Sequence, residues 1–162
     1  MAAIQRSDEQ AKLWNGSAGG AWVEAQALLD RTLQPFEDLL VEAVAASGAR
    51  RVLDVGCGTG STTRAIARVL GASGHSVGID ISEQMIDTAR MLAGQDRTPA
   101  EFICADAQTH AFEPASFDLI MSRFGTMFFP IPSQRLQICD ALARKTPRCA
   151  RSCGAVPRRI RS

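Results

Sequence analysis

Val52-Leu-Asp-Val-Gly-Cys-Gly-Thr-Gly60 decides the reading of this chain. Arg51 to Val55 has the length and apolar content of a short buried strand, and Gly56, Gly58 and Gly60 follow it at once. Glycine at these places removes side chains where a backbone must turn sharply and approach a ligand. Ser61 or Thr62 can then cap a helix whose Ala65, Ile66, Val69 and Leu70 face a sheet, with Gly71 closing it. A strand, a glycine turn and a helix in that order open a βαβ unit.

The alternation continues outward from this unit. Ser76 to Asp80 predicts a second strand, and Ser82 is a suitable N-cap for a helix with Met85, Ile86, Ala89 and Leu92 inward and Gly94 at its end. Glu101 to Ala105 and Phe117 to Ser122 predict a third and a fourth strand, the latter after a loop containing Pro114. Upstream, Trp22, Ala25, Leu29 and Leu33 recur at helical spacing until Pro35, which suits the start of another helix. Phe36, Leu39, Leu40, Ala43 and Val44 form its apolar face, and Gly48 is its stop. The fold class read from this is α/β: a Rossmann-like, doubly wound parallel sheet, incomplete at about four strands, with N-terminal helices and right-handed crossovers on both faces.

In such a sheet ligands bind beyond the carboxyl ends of the strands. Every candidate residue falls there: Asp54 to Gly60 after the first strand, Asp80 closing the second, Asp106 after the third, and Ser122 and Arg123 after the fourth. Asp80 lies 24 residues beyond Gly56, where a carboxylate accepts from ribose hydroxyls. These features imply an adenosine-containing ligand. Asp54 selects among such ligands. A dinucleotide turn reads G-x-G-x-x-G and holds a doubly charged pyrophosphate, whereas this turn reads G-x-G-x-G behind a carboxylate. A buried carboxylate repels pyrophosphate but suits an ammonium beside a sulfonium, which is what S-adenosylmethionine offers.

Composition sets the outer limits. The 162 residues are 46% hydrophobic and 22% charged, a globular profile with enough chain for one core. No apolar run reaches the roughly 20 residues of a membrane span, and the N-terminus lacks a secretory pattern, so a cytoplasmic location is expected. Five cysteines without that pattern read as reduced thiols. Cys149 and Cys153 lack the further ligands that zinc takes, so no metal site is read. His75 reads as a surface residue at a strand start, His110 as a loop histidine, and Met85 and Met91 as helix packing. Trp22 fits a core position as well as a lid.

From about residue 13 to 129 the chain resembles the bacterial class I S-adenosylmethionine-dependent methyltransferases of the broad type 11 group that includes the ubiquinone and menaquinone C-methyltransferases. The matching stretches are Leu13-Trp-Asn-Gly, Gly20-Ala-Trp-Val, the turn itself, Val77 to Ser82, Cys104 to His110, and Ser116 to Gly125. The resemblance implies that Asp54, Gly56 and Gly58, within the turn that also holds Cys57 and Gly60, line the methionine end. It implies that Asp80 holds the ribose, Ile81 packs on adenine, and Asp106 and the Ala107 N–H meet the adenine edge. Ser122 and Arg123 would lie under the sulfonium and amino acid portion, and Trp14 and Trp22 would belong to a lid. The implied partner is a small-molecule acceptor. No catalytic residue is named, because a general base is needed only if the acceptor must lose a proton.

After Phe129 the resemblance stops. Residues 1–132 carry 10 basic and 16 acidic side chains, whereas residues 133–162 carry 8 basic and 1 acidic and show no strand period. This divides the chain into an N-terminal helical lid (1–50), a cofactor-binding core (51–130) and an aberrant basic tail (131–162). Codons compatible with Pro130 onward, read two bases later, can encode peptides like those the family carries there, so a frameshift near residue 130 is expected, and resequencing the gene tests it. A chain so altered would leave its fourth strand as an exposed edge, with marginal stability and little or no catalytic activity. The alternative is a non-catalytic fragment or a protein whose basic tail binds an acidic partner. Nucleic acid is an unfavoured partner, because the arginines lack interleaved aromatics.

Overall fold

A computed structural model describes residues 2–128 and 143–152. Three helices lead the chain: α1 (Ala2–Trp14), α2 (Ser17–Glu24) and α3 (Gln26–Ser47). The alternating part follows as β1 (Arg51–Val55), α4 (Ser61–Leu70), β2 (His75–Asp80), α5 (Glu83–Asp96), β3 (Ala100–Cys104) and β4 (Phe117–Arg123), with β5 at Ala143–Ser152. All strand pairs are parallel and the order is β3-β2-β1-β4-β5, so the sheet grows in opposite directions from β1. The α/β, doubly wound class with N-terminal helices is therefore what forms, and the switch in strand order lies between β1 and β4.

Two packed layers meet on one face of the sheet. Leu40 and Val44 of α3 and Ile66 of α4 close over Val52, Leu119 and Met121, and Ile86, Ala89 and Ala93 of α5 close over Phe102. On the other face Leu53, Val55, Val77, Ile79 and Ile120 pack with Ala107 and Phe112 of the loop after β3. Helices on both faces were expected; among the described residues α3, α4 and α5 share one.

Several local expectations are corrected. Pro35 does not start a helix but lies inside α3. It is exposed, so the carbonyl its missing N–H leaves free can be met by water. The breaks fall instead at Asn15–Gly16 and Ala25, and Gly48 ends α3 in the left-handed conformation at φ 70°. On α3 only Leu40 and Val44 of the expected apolar face are buried, while Leu39 and Phe36 are exposed. On α4 Val69 points outward, and Ala67 and the threonines Thr62 and Thr63 pack inward. Gly60, not Ser61 or Thr62, is the N-cap of α4. Ser82 holds the N-cap position of α5, yet its hydroxyl donates to Trp14 O at 2.6 Å. The Glu83 N–H is capped by Asn15 Oδ1 at 2.8 Å, a cap supplied from the N-terminal helices. Helix α5 runs past Gly94 to Asp96, with Arg97 as its left-handed C-cap, and Met91 is exposed on it.

The largest correction concerns the tail. Ten of its residues form β5, which pairs with β4, so β4 is not an edge strand. The register is irregular between Phe117 and Leu119, whose partners are Ala143 and Arg148. Pro147 falls in that irregular stretch of a strand that ends the sheet order, where a missing ladder N–H is tolerated. The expected break near residue 130 and Cys153 lie outside the described residues.

Candidate functional site

A cavity lies at the carboxyl ends of β1, β2 and β4, where ligands bind in sheets of this kind. The glycine turn makes its floor. The Gly56 and Cys57 N–H groups both donate to Ile79 O, at 2.8 and 3.2 Å, which ties the turn to β2. Gly56 has φ 70°, and a Cβ there would come within 2.5 Å of Gly125 Cα. The turn after β1 and the turn after β4 thus touch backbone to backbone. Phe124, at φ 65°, supplies the left-handed kink that turns the chain toward this contact, a conformation unfavourable for a bulky residue.

One end of the cavity is built by carboxylates held on local backbone. Asp80 Oδ1 accepts from Ser82 N at 3.0 Å, and its Oδ2 accepts from Gly58 N at 2.8 Å. Burial raises the Asp80 pKa above the ordinary carboxylate value, opposed by these N–H donors. Asp106 Oδ1 accepts from Gln108 N at 2.8 Å, the same acid-to-second-residue turn. Ile81 and Ala107 complete this end.

The Asp54 and Arg123 end is a buried charge network, within electrostatic reach of Asp80. Asp54 is 1% exposed; its Oδ2 accepts from Thr63 Oγ1 at 2.7 Å, and its Oδ1 has no hydrogen-bond partner. Desolvation pushes its pKa up to about 6, while the Thr63 hydroxyl and the Arg123 charge pull it down. Arg123 reaches the cavity from the end of β4, with Nη1 at 3.4 Å from Glu37 Oε2 and Nη2 at 4.0 Å from Asp30 Oδ1. Glu37 is 7% exposed and also accepts from Ser61 Oγ and Thr62 Oγ1. The sequence reading missed Glu37, which looks like one more polar position on a helix.

Aromatic and apolar groups form the remaining wall. Trp14 meets Trp22 and Phe128 edge-on, with ring centroids 6.0 and 4.9 Å apart, and Leu33 and Met85 line the same space. Trp22, open between core and lid, is half-buried at the cavity. Met85 is buried as expected and lines the cavity as well.

Of the candidate residues, Trp14, Trp22, Asp54, Gly56, Cys57 and Gly58 line this one cavity. So do Asp80, Ile81, Asp106, Ala107 and Arg123. Gly60 and Ser122 do not line it. Gly60 sits under the Phe102 ring at φ 78°, and Ser122 Oγ accepts from Thr126 N at 3.0 Å, holding the turn after β4. The Cys57 thiol is pushed well above its usual range by burial and the neighbouring acids, which keeps it protonated. His110 packs edge-on to Phe112 and lines a different cleft with His75 and Glu101. No helix among the described residues is long and apolar enough to cross a membrane.

Comparison with known proteins gives the family of the chain. Residues 52–146 match the family described as Methyltransferase domain. The chain is 44% identical over 120 residues to a demethylmenaquinone methyltransferase of Clavibacter sepedonicus, covering 68% of this chain and 46% of that protein. It is 35% identical over 97 residues to an aklanonic acid methyltransferase of a Streptomyces species, covering 59% and 44%. The chain thus spans less than half the length of these two curated relatives. In fold it is similar to a magnesium protoporphyrin IX methyltransferase of Synechocystis, solved with bound S-adenosylmethionine, at TM-score 0.70 and 19% identity over 88% of this chain and 74% of that one. Matched over more than half its length by the family pattern, this chain belongs to the methyltransferase domain family.

Proposed function

We propose that this chain binds S-adenosylmethionine across the cavity and directs its methyl group to a small-molecule acceptor. The observation that carries this reading is the unpartnered Asp54 Oδ1, buried at the end of the cavity where Arg123 also arrives. A buried carboxylate oxygen without a donor calls for a ligand cation. The pair can receive an α-amino acid, with the ammonium on Asp54 and the carboxylate on Arg123. The same carboxylate disfavours the pyrophosphate of a dinucleotide.

When bound, S-adenosylmethionine supplies a methyl group already activated by its sulfonium. The residues of this chain bind and orient. Asp80 has lone pairs left for ribose hydroxyls after accepting its two backbone N–H groups, and Asp106 lies on the same wall to meet the adenine amino group. The wall of Trp14, Trp22 and Phe128 excludes water from the reacting end and gives an apolar acceptor a surface to pack on. Fixing two reactants in line can supply about 7–11 kcal/mol of a displacement barrier, so alignment is the main task. Segment 1–50 acts as the lid in this reading, tied to α5 through Asn15 and the Trp14 carbonyl.

Calorimetry of the whole chain with S-adenosylmethionine, S-adenosylhomocysteine and NAD tests the reading. Binding of the first two without the third is expected. No detectable binding of either adenosyl amino acid overturns it.

A further inference from the structure

Among the described residues, Arg123 is the one cation lining the cavity, and it stands among acids from two different elements. Arg123 approaches Glu37 and Asp30, both on α3, while Asp54 on β1 faces the same cavity. Among the described residues no ion pair within 4.0 Å joins Arg123 to Asp54, and Asp54 Oδ1 stays without a partner. A guanidinium that swung onto Asp54 would satisfy that oxygen and close the end of the cavity to any ligand. Something must hold it back.

We propose that Glu37 is a positioning residue that tethers the Arg123 guanidinium away from Asp54, keeping both charges open for the two ends of an amino acid zwitterion. This rests on the S-adenosylmethionine reading above. Glu37 is suited to the task because it is itself fixed. Its Oε2 accepts from Ser61 Oγ and from Thr62 Oγ1 at 3.4 Å, both in the first turn of α4, and its Oε1 accepts from Gln34 Nε2 at 3.4 Å. Asp30, held by Gln26, draws on the second arm of the guanidinium. The tether comes from α3, so the seating of the N-terminal helices sets the spacing of charges that belong to β1 and β4. That coupling gives the lid helices a role beyond covering the ligand.

The test compares two ligands that share the adenosine end and differ in the amino acid. S-adenosylhomocysteine carries the zwitterion, and 5′-methylthioadenosine lacks it. In Glu37→Gln, affinity for S-adenosylhomocysteine falls about tenfold, while affinity for 5′-methylthioadenosine stays within about twofold. A side chain that merely supports the fold would weaken both together, so equal losses overturn the proposal, as does no change in either. Asp30→Asn, closer to the surface, should act in the same direction at about threefold, and it keeps the test intact if Glu37→Gln does not fold. Wild-type chain that binds neither ligand brings down this inference and the cosubstrate reading together. Wild-type binding with an indifferent Glu37→Gln brings down this inference alone.

Discussion

The two ends of the cavity are built on different principles. At the Asp80 and Asp106 end each carboxylate accepts the N–H of the residue two positions on, and Asp80 also accepts the Gly58 N–H of the glycine turn, so backbone donors set their direction. At the Asp54 and Arg123 end each group is set by side chains: Thr63 for Asp54, and Glu37, 86 positions away, for Arg123. The first end is held by backbone and the second by side-chain charge. A local loop keeps its geometry when distant elements shift, whereas a charge network transmits their position.

The largest expected effect removes what the ends share. A Cβ on Gly125 would stand 2.6 Å from both Gly56 Cα and Val55 O, contacts made by backbone that cannot swing aside. Gly125→Ala should abolish binding of S-adenosylhomocysteine and 5′-methylthioadenosine alike. It should also lower stability by about 1–3 kcal/mol, read as a fall in melting temperature. A variant that loses only the amino acid ligand would show that the floor belongs to one end.

Next, single acids should separate the ends. Asp80→Ala removes the acceptor for two backbone N–H groups and, in the proposed reading, for the ribose, so both ligands should weaken by about 100-fold. Asp54→Ala should cost S-adenosylhomocysteine about 30-fold and leave 5′-methylthioadenosine within about threefold. Titration of each variant with both ligands gives the four numbers that decide whether the division holds.

Proton linkage sharpens the contrast further. Burial raises the Asp54 pKa to about 6, so its ionised form opposes folding above that pH by about 3 kcal/mol, and protonation relieves the cost as pH falls toward its unfolded value. An ammonium ligand needs the ionised form. Binding of S-adenosylhomocysteine should therefore weaken about tenfold from pH 7.5 to pH 5, while the free protein gains stability from this group over the same interval. Asp54→Asn should lose both trends. The nucleoside alone should change less, because it carries no ammonium that needs the ionised Asp54.

The same division explains what could be read from the sequence. The glycine turn, β1 to β4 and the acids after the strands are local signals, since a strand end, a glycine and an aspartate in succession state both the turn and its chemistry. Pro35 misled, because its placement inside α3 depends on an exposed face that only the packed helix defines. Glu37 could not be found for a related reason. On α3 it reads as one acid of an amphipathic helix, and what makes it special is Ser61, Thr62 and Arg123, brought to it by the tertiary fold. The strand at Ala143–Ser152 was illegible because four basic residues and Pro147 obscure any period of two. Its pairing with β4 supplies what its own sequence does not announce.

The smallest expected effect tests whether the aromatic wall serves both ends. The chain has two tryptophans, and both line the cavity, so intrinsic fluorescence reports ligand entry directly. Trp14 donates its indole N–H to Gln10 Oε1 at 3.2 Å and meets Phe128 and Trp22 edge-on. Trp14→Phe keeps an aromatic edge but loses that hydrogen bond and part of the ring contact, a change of about 0.5–1 kcal/mol. Affinity measured by Trp22 emission should fall about two- to fivefold for both ligands in parallel. A loss confined to S-adenosylhomocysteine would instead attach the wall to the charge network. The N-terminal helices would then answer to the same long-range forces that hold Arg123.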